Sequence, residues 1–501
     1  MAGNEAKPMT SSHGAGSQAG PLASGEAEVL LPWIGGRFAE ADAFEDLVEP
    51  WAGRVVARAG ISGRSTVEAA LAAAEEAQPQ MAAMPAHQRA RLLRAAADIV
   101  EARADELARE ITRATGKVIS HARRETRRVP WTLRAAASAA EALLPASPPP
   151  DAIPGGEGVT AVLARRPVGT VAAITPFNAP LNLVAHKVAP ALAAGNCVVV
   201  KPAPQVPAPA IRLAGILTEA GFPPGAVNVV PGGRETGSAL LDDPRVDLIS
   251  FTGGTAAGRE IRAAAGTRPV LLELGGNSAN LVCPDADIPL ALRECLAGGF
   301  SNNGQSCNSV QRVFVHREQH DDFAAALADG AARLRLGDPM DDSTDIGPLI
   351  NESAAVRVEA AIAEAVAKGA TLHAGGTRNG AVVAPAVLSD VGRALSLYCD
   401  EVFAPVVIVQ RYDTLDEAIG AANETRFALQ AAVFTGSLAT ADRCFRELRA
   451  GSVIVNRSSN FRLDQLPYGG IAGSGTGREG PLYAAEAMTY LKSLVIVPAT
   501  G

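Results

Sequence analysis

The sequence predicts an α/β protein organised around a doubly wound parallel sheet, followed by a second α/β section and a small β arm. Three observations predict it. From residue 168 onward, short apolar β-rich runs alternate with amphipathic helical stretches. The runs are mostly apolar and do not alternate, as expected of strands covered by helices on both faces. Each run also ends in a polar, glycine-rich or proline-rich turn, and the carboxyl ends of strands are where open α/β sheets bind ligands.

In chain order, residues 1–28 are rich in Gly, Ser and Ala, with neither a basic start nor an apolar centre. They read as a disordered tail rather than a signal peptide. Residues 30–38 and 48–57 read as short strands around turns. Over 65–145, apolar residues recur at three- and four-residue steps with Glu and Arg on the opposite face, which predicts helices. Ser147-Pro148-Pro149-Pro150-Asp151 then forms a stiff connector. The β-rich runs follow at 168–174, 197–201, 227–230, 246–251 and 270–273, separated by helical stretches at 183–194, 207–220, 234–241 and 256–265. Right-handed crossovers turn such a series into a parallel sheet.

The strand ends carry Thr175-Pro176-Phe177-Asn178, Lys201-Pro202, Pro231-Gly232-Gly233, Thr252-Gly253-Gly254 and Leu274-Gly275-Gly276. That rim suits a nucleotide. The second section, 275–465, has helical patterns at 318–335 and 353–368 and strand-like runs at 406–410 and 453–456. A last strand-like stretch, 489–497, alternates poorly and invites pairing with a strand such as 158–164, in the same chain or across a subunit interface.

Composition excludes several classes. A formal net charge of -8 leaves no basic footprint for a phosphate backbone, so nucleic acid is not an expected partner. No stretch is long and apolar enough to span a bilayer, and a soluble protein is expected. The six cysteines show no CxxC spacing and no compact disulfide framework, which suits a reducing cytoplasm. The seven histidines form no HExxH pair, and no metal site is predicted.

Four features bear chemistry. Cys307 follows the polar turn Ser301-Asn302-Asn303-Gly304-Gln305-Ser306 after an apolar helical run at 288–300. With small polar flanks it is either an accessible nucleophile or a buried free thiol. Gly253-Gly254-Thr255-Ala256-Ala257-Gly258 opens a helix after a strand. It is either a phosphate-approaching loop or a tight structural turn, and it is not GxGxxG. Glu273 ends a buried-looking strand, where desolvation raises a carboxyl pKa and makes a usable base. The alternative is an ordinary carboxylate bonded to the Gly275 and Gly276 amides. Asn178 is either an oxyanion donor or a turn residue.

Together these stretches are more specific than any one of them. Ile174-Thr175-Pro176-Phe177-Asn178-Ala179-Pro180, Gly195-Asn196-Cys197-Val198-Val199-Val200-Lys201-Pro202 and Phe251-Thr252-Gly253-Gly254-Thr255 are followed by Leu272-Glu273-Leu274-Gly275-Gly276-Asn277 and Gly304-Gln305-Ser306-Cys307. Glu401-Val402-Phe403-Ala404-Pro405, Pro467-Tyr468-Gly469-Gly470 and Ser474-Gly475-Thr476-Gly477-Arg478-Glu479 complete the series. From about residue 30 onward the chain resembles the NAD(P)-dependent aldehyde dehydrogenase superfamily. The run 182–190 resembles the branch of lactaldehyde, phosphorylated-glyceraldehyde and phosphonoacetaldehyde dehydrogenases.

The resemblance implies a dinucleotide-binding domain (29–150 and 165–274), a catalytic domain (275–465) and an oligomerisation arm (151–164 and 486–501), with a homodimer or homotetramer as the assembly. It implies that Cys307 attacks a small-molecule aldehyde, that Asn178 and the Cys307 N–H hold the oxyanion, and that Glu273 activates water to hydrolyse the thioester. NAD or NADP is the implied cofactor. Lys201 would contact the adenosine ribose and Gly253 and Gly254 the pyrophosphate. Glu401 would bind the nicotinamide ribose, Phe403 would pack beside the nicotinamide, and Thr175 and Pro176 would line the cofactor path. A CoA-acylating enzyme is the alternative, although relatives of that kind typically lack the base at the Glu273 position. A non-catalytic nucleotide-binding protein on the same fold is a further alternative.

Three positions depart from the family pattern. Pro204 stands where the family often has a ribose-chelating Glu, so exclusive NAD use does not follow. Gly254 stands for the usual Ser, and Ala472 for a frequent Lys. For the substrate, Asn182 and His186 in the helix after Asn178, with Ser306 and Asn308 beside the thiol, are the expected specificity residues. A funnel lined by them is more polar than one for fatty or aryl aldehydes. Ser306 stands where phosphate-specific relatives often carry Arg, which points to a small, polar, non-phosphorylated aldehyde. His186 has an alternative reading, as a residue that only packs and hydrogen-bonds in its helix.

Overall fold

The computed structural model describes residues 27–145 and 147–497. The tail expected over 1–28 lies almost wholly outside them. Two parallel sheets dominate the fold. The first has eight strands in the order Gly475–Thr476, Val270–Glu273, Leu248–Thr252, Thr170–Ile174, Cys197–Lys201, Val227–Val229, Trp33–Ile34, Arg37–Phe38. Its five central strands are parallel, and the strand order reverses beside Thr170–Ile174. Crevices at such a reversal open at the carboxyl ends of the strands. Thr170–Ile174 and Cys197–Lys201 are buried along their whole length, which is why they read as uninterrupted apolar runs.

The helix between those two strands, Asn182–Ala194, is buried at every residue. It is therefore apolar nearly all round, except for the polar groups that it aims at the site. The helices Arg64–Ala83, Ala86–Ala102, Ala104–Thr115 and Ile119–Ala142 fill the expected 65–145 region. They pack with the first sheet into one core that includes Leu71, Leu93, Ile111, Leu133 and Val199.

The second sheet has seven strands in the order Thr371–Ala374, Ala386–Ser389, Val406–Tyr412, Arg312–His316, Ala279–Val282, Gln430–Phe434, Ser452–Val455, parallel except at the Thr371–Ala374 edge. The helices Ile288–Phe300, Arg317–Ala332 and Glu352–Ala367 cover it. Thr489–Ile496 pairs antiparallel with Thr160–Pro167 of the same chain, a two-stranded ribbon standing apart from both sheets.

The short strands expected around turns are present in two places. Residues 48–57 hold the turn between two of them. Ala43–Val48 and Val55–Ile61 form an antiparallel pair across a turn, and the Glu49 carboxylate accepts from Arg54 Nε at 2.7 Å within that turn. Residues 30–38 divide into pieces serving two sheets, because Glu28–Leu30 pairs with Val55–Ile61 while Trp33–Ile34 joins the edge of the first sheet. The strands Ala386–Ser389 and Gln430–Phe434 carry no period that a sequence reading can use. Both are fully buried, and short, mostly apolar runs suit a helix as well as a strand.

Candidate active site

The loop that presents Cys307 is fixed at both ends. Asp287 caps the helix Ile288–Phe300 by accepting from the Leu290 N–H at 3.0 Å, with Pro289 in the first turn. After the helix, Asn302 and Asn303 adopt left-handed backbone angles (φ 54 and 57), which asparagine tolerates better than other side chains. Both Asn302 and Asn303 are buried, and each is pinned. The Asn302 amide donates to the carbonyls of Asn178 and Gln305, and the Asn303 amide donates to the Pro348 carbonyl at 2.9 Å. The turn therefore leaves Cys307 in one place.

The site lies where the carboxyl ends of the first sheet meet the amino ends of the second. The Asn178 amide, beyond Thr170–Ile174, donates to the Gln305 carbonyl at 3.0 Å. Gly275 and Gly276, between Val270–Glu273 and Ala279–Val282, explain why the motif needs two glycines. A Cβ on Gly275 would stand 2.5 Å from Glu401 Oε2, and one on Gly276 would stand 2.1 Å from the Cys307 carbonyl oxygen. The Gly276 N–H donates to Glu401 Oε1 at 3.0 Å, so Glu401 and not Glu273 takes the Gly-Gly amide. Phe403 packs edge-to-face on Phe177 with ring centroids 5.8 Å apart, itself at a left-handed φ of 54.

A cavity of about 380 Å³ opens over the thiol. Cys307, Asn178, Asn182, Ser306 and Asn308 all line it. Asn308 and Asn182 are buried and committed. The Asn308 amide donates to Gln430 Oε1, while Asn182 Oδ1 accepts from the Thr132 hydroxyl. The Ser306 side chain makes no hydrogen bond. His186 is placed elsewhere: it lies behind the wall, buried, with Nε2 2.9 Å from Asp464 Oδ1. Its helix turns that position inward, so the reading of His186 as a packed, hydrogen-bonded residue describes where it sits.

The Cys307 thiol is partly exposed to the cavity and 3.1 Å from the Tyr468 hydroxyl. Burial pushes it up to about 12, with the Tyr468 hydrogen bond and Arg462 acting against that. It also sits beyond the carboxyl end of Ile288–Phe300, the negative end of a helix dipole, which gives a thiolate no help. Arg462 stacks 3.9 Å from the Tyr468 ring centroid and donates to Glu479 at 3.0 Å.

Glu273 is buried close under Gly469, and its Oε2 has no partner among the described residues. Burial, reinforced by the neighbouring Glu479, raises its carboxyl well above the usual range, with Lys187, Arg462 and Arg478 opposing. Glu479 goes the other way. Burial disfavours its charge, but Lys187, 3.3 Å away, and Arg462 hold it below the ordinary carboxylate value. Two carboxyls in one pocket, with cations favouring one of them, are driven apart in this way.

The rim of the first sheet carries unfilled polar groups of the kind that a dinucleotide would engage. Thr175 Oγ1 is buried without a partner. Lys201 Nζ, also buried, has only the Pro202 carbonyl at 3.2 Å, and burial lowers it to about 8. Gly254 begins the helix Thr255–Ala264 with open space above its Cα, while Gly253 is held to the Glu273 carbonyl at 3.0 Å. Unfilled donors beside a free helix N-terminus at a strand-order reversal fit phosphate and ribose groups. Glu401 at the mouth, raised by burial to about 7, completes the rim. Among the described residues no cluster of three or more His, Cys, Asp or Glu is placed to hold a metal.

Sequence reasoning missed Tyr468, Arg462, Lys187, Asp464, His121 and Arg124 as site residues. One signal was present: Lys187 is a lone cation in a helix otherwise apolar enough to be wholly buried, which demands a buried partner. The others come from segments far apart in the chain.

The comparisons with known proteins agree with this geometry. Residues 38–494 match the family model described as the aldehyde dehydrogenase family. The chain is 41% identical over 441 residues to the 3-sulfolactaldehyde dehydrogenase of Priestia aryabhattai, covering 88% of this chain and 92% of that one. It superimposes with a TM-score of 0.92 and 35% identity on aldehyde dehydrogenase 21 of Physcomitrella patens, solved with the reaction product succinate, covering 94% and 98% of the two chains. An aldehyde dehydrogenase of Bacillus cereus solved with NAD+ matches with a TM-score of 0.90 and 33% identity, covering 94% and 96%.

Proposed function

The chain belongs to the aldehyde dehydrogenase family, and from that premise we propose how its own residues carry out the NAD(P)-dependent oxidation of a small polar aldehyde to the acid. Cys307 is the nucleophile. Its sulfur adds to the carbonyl carbon of an aldehyde in the cavity. The resulting oxyanion is received by the Cys307 N–H, which makes no hydrogen bond among the described residues, and by the second N–H of the Asn178 amide, whose first is spent on Gln305. Tyr468 and the stacked Arg462 favour the thiolate that burial disfavours.

The dinucleotide, when bound, supplies the hydride acceptor that turns the adduct into a thioester. Lys201, Thr175, Pro176, Gly253, Gly254, Glu401 and Phe403 would hold it. Glu273, kept basic enough by burial and by Glu479, takes a proton from the water that hydrolyses the thioester. Pro204 leaves no carboxylate beside the ribose to repel a 2′-phosphate, so both NAD and NADP are expected to bind.

The observation that carries this reading is the lining of one cavity by Cys307 and Asn178 together, with Glu273 buried near enough for its charge to act on the thiol. NAD(P)H formation with an aldehyde, measured with and without CoA, tests it. Turnover without CoA is expected, and strict CoA dependence overturns the hydrolytic reading. Cys307→Ala is expected to abolish turnover while leaving dinucleotide binding measurable by fluorescence quenching.

The rest of the molecule fits the same reading. Within it the two domains divide at 29–150 with 165–274 and at 275–465, with 151–164 and 486–501 as an arm, of which 498–501 lie outside the described residues. The exposed apolar side chains of Thr489–Ile496, including Leu491, Leu494 and Ile496, support a homodimer or homotetramer built through that arm. Six free cysteines support a cytoplasmic location.

A further inference from the structure

Resting on that reading, we infer that the aldehyde carries an anionic group, a sulfonate or a carboxylate, and that Arg124 with the Nε2–H of His121 receives it. The helix Ile119–Ala142 forms one wall of the cavity and presents His121, Arg124 and Arg128 along a single face. Five cations line this cavity, and the inference follows from how each is balanced.

Lys117 pairs with Glu125, which also accepts the N–H groups of Leu181 and Asn182. Arg128 makes two bonds to Asp464, at 2.9 and 2.6 Å. Arg457 donates to Glu294 at 2.9 Å and Arg462 to Glu479 at 3.0 Å. Glu125 and Glu294, the acids of the wall, are therefore both spent. Arg124 alone has no hydrogen bond, ion pair or aromatic partner among the described residues.

His121 supplies a second, neutral donor. Its Nδ1 lies 2.9 Å from the Asn302 N–H, which can only donate, so Nδ1 accepts and the ring hydrogen sits on Nε2. That N–H has no partner among the described residues. Burial, with Arg124 and Lys117 nearby, lowers the imidazole to about 3, so the ring stays neutral and does not add a charge needing its own counter-ion. The Asn302 contact ties this donor directly to the loop that presents Cys307.

An exposed arginine is ordinarily a solvated one. Arg124 differs in lining the same cavity as the nucleophile, one helical turn from an oriented donor, on a protein whose formal net charge is -8. An acidic protein repels anions at long range, so one uncompensated positive charge inside its substrate cavity is a local selection. A planar guanidinium binds sulfonate or carboxylate oxygens in pairs. A cationic aldehyde would meet that charge unpaired.

The test compares kcat/KM of the full-length enzyme for a sulfonated two- or three-carbon aldehyde, for 4-oxobutanoate, for butanal and for a trimethylammonio aldehyde. The anionic substrates are expected to exceed butanal by at least about tenfold, and the relative order of the first two identifies which anion is preferred. Arg124→Gln is expected to lower the ratio of anionic to neutral substrate by about 10- to 100-fold, the worth of one charge-assisted hydrogen bond, mainly through KM. Arg124→Lys should restore part of it. A wild-type preference for butanal or the cationic aldehyde overturns the inference, as does an unchanged ratio in Arg124→Gln. If none of the four is oxidised, the proposed activity falls first and this inference falls with it.

Discussion

The two parallel sheets share an architecture but offer the site opposite ends. The first contributes the carboxyl ends of its strands: Thr175 and Asn178 beyond one, Lys201 at the end of the next, Thr252 and Glu273 at two more. The second contributes amino ends, with Gly276 before Ala279–Val282, Cys307 before Arg312–His316, and Glu401 and Phe403 before Val406–Tyr412. The chemical characters differ accordingly. The first rim holds unfilled donors, partnerless buried oxygens and a free helix N-terminus, all suited to a ligand that arrives with phosphates. The second rim is more constrained, because its loops are pinned by Asn302, Asn303 and Gln311 to hold one thiol in position. The first sheet supplies most of the binding groups, and the second holds the thiol while adding Glu401 and Phe403 to the dinucleotide side.

Three substitutions test that division, in order of effect. Glu273→Gln removes the base at a strand end of the first sheet without touching the loop of the second. The steady-state rate is expected to fall by about 10²- to 10⁴-fold. Stopped flow should still show a burst of about one NAD(P)H per active subunit, because formation of the thioester survives. The pH dependence gives the sign. A carboxyl raised above its ordinary range must lose its proton to act, so the wild-type hydrolysis rate rises with pH through that raised pKa. The rising limb should vanish in the variant, and a limb that persists assigns the base elsewhere.

Gly276→Ala strikes the junction itself. Its Cβ would lie 2.1 Å from the Cys307 carbonyl oxygen, so the thiol loop must move. Overpacking of this kind costs about 1–3 kcal/mol, and a shift of about 1 Å at a nucleophile costs about 10²-fold in rate. Thermal denaturation and kcat should both fall while dinucleotide affinity changes far less. Equal losses in affinity and kcat would mean that the two rims are not separable. Gly254→Ser is the mildest. Nothing stands within 4 Å of its Cβ position, so the fold should be unchanged. A hydroxyl at the helix N-terminus adds one phosphate hydrogen bond, tightening the dinucleotide by about 2- to 10-fold in a binding titration.

The parts of the site legible in the sequence are those whose local chemistry is unusual. A run of buried apolar strands ending in Gly, Pro, Thr and Asn announced the first sheet and its rim. Cys307, Glu273 and Asn178 were candidates by position alone and became a set through the order of the motifs around them. Arg124 and His121 gave no such sign, since an Arg and a His in an amphipathic helix look like solvated surface. Only when the helix is laid against the Cys307 loop does His121 meet the Asn302 N–H, and only when each of the other four cations lining the cavity has found its acid does Arg124 stand alone.

His186 teaches the converse. Its spacing after Asn178 suggested the funnel, yet it lies one turn further along the helix than the cavity-lining Asn182, where Asp464 takes its Nε2. The sequence by itself determined the strand–helix alternation, the glycine-rich rim and the family's reaction, because period and turn chemistry are local properties of the chain. The tertiary structure decided which carboxyl is raised and which is ionised, which amide accepts which carboxylate and which cation remains unpaired. Those depend on desolvation and on charges brought together from distant segments, and no local stretch encodes them.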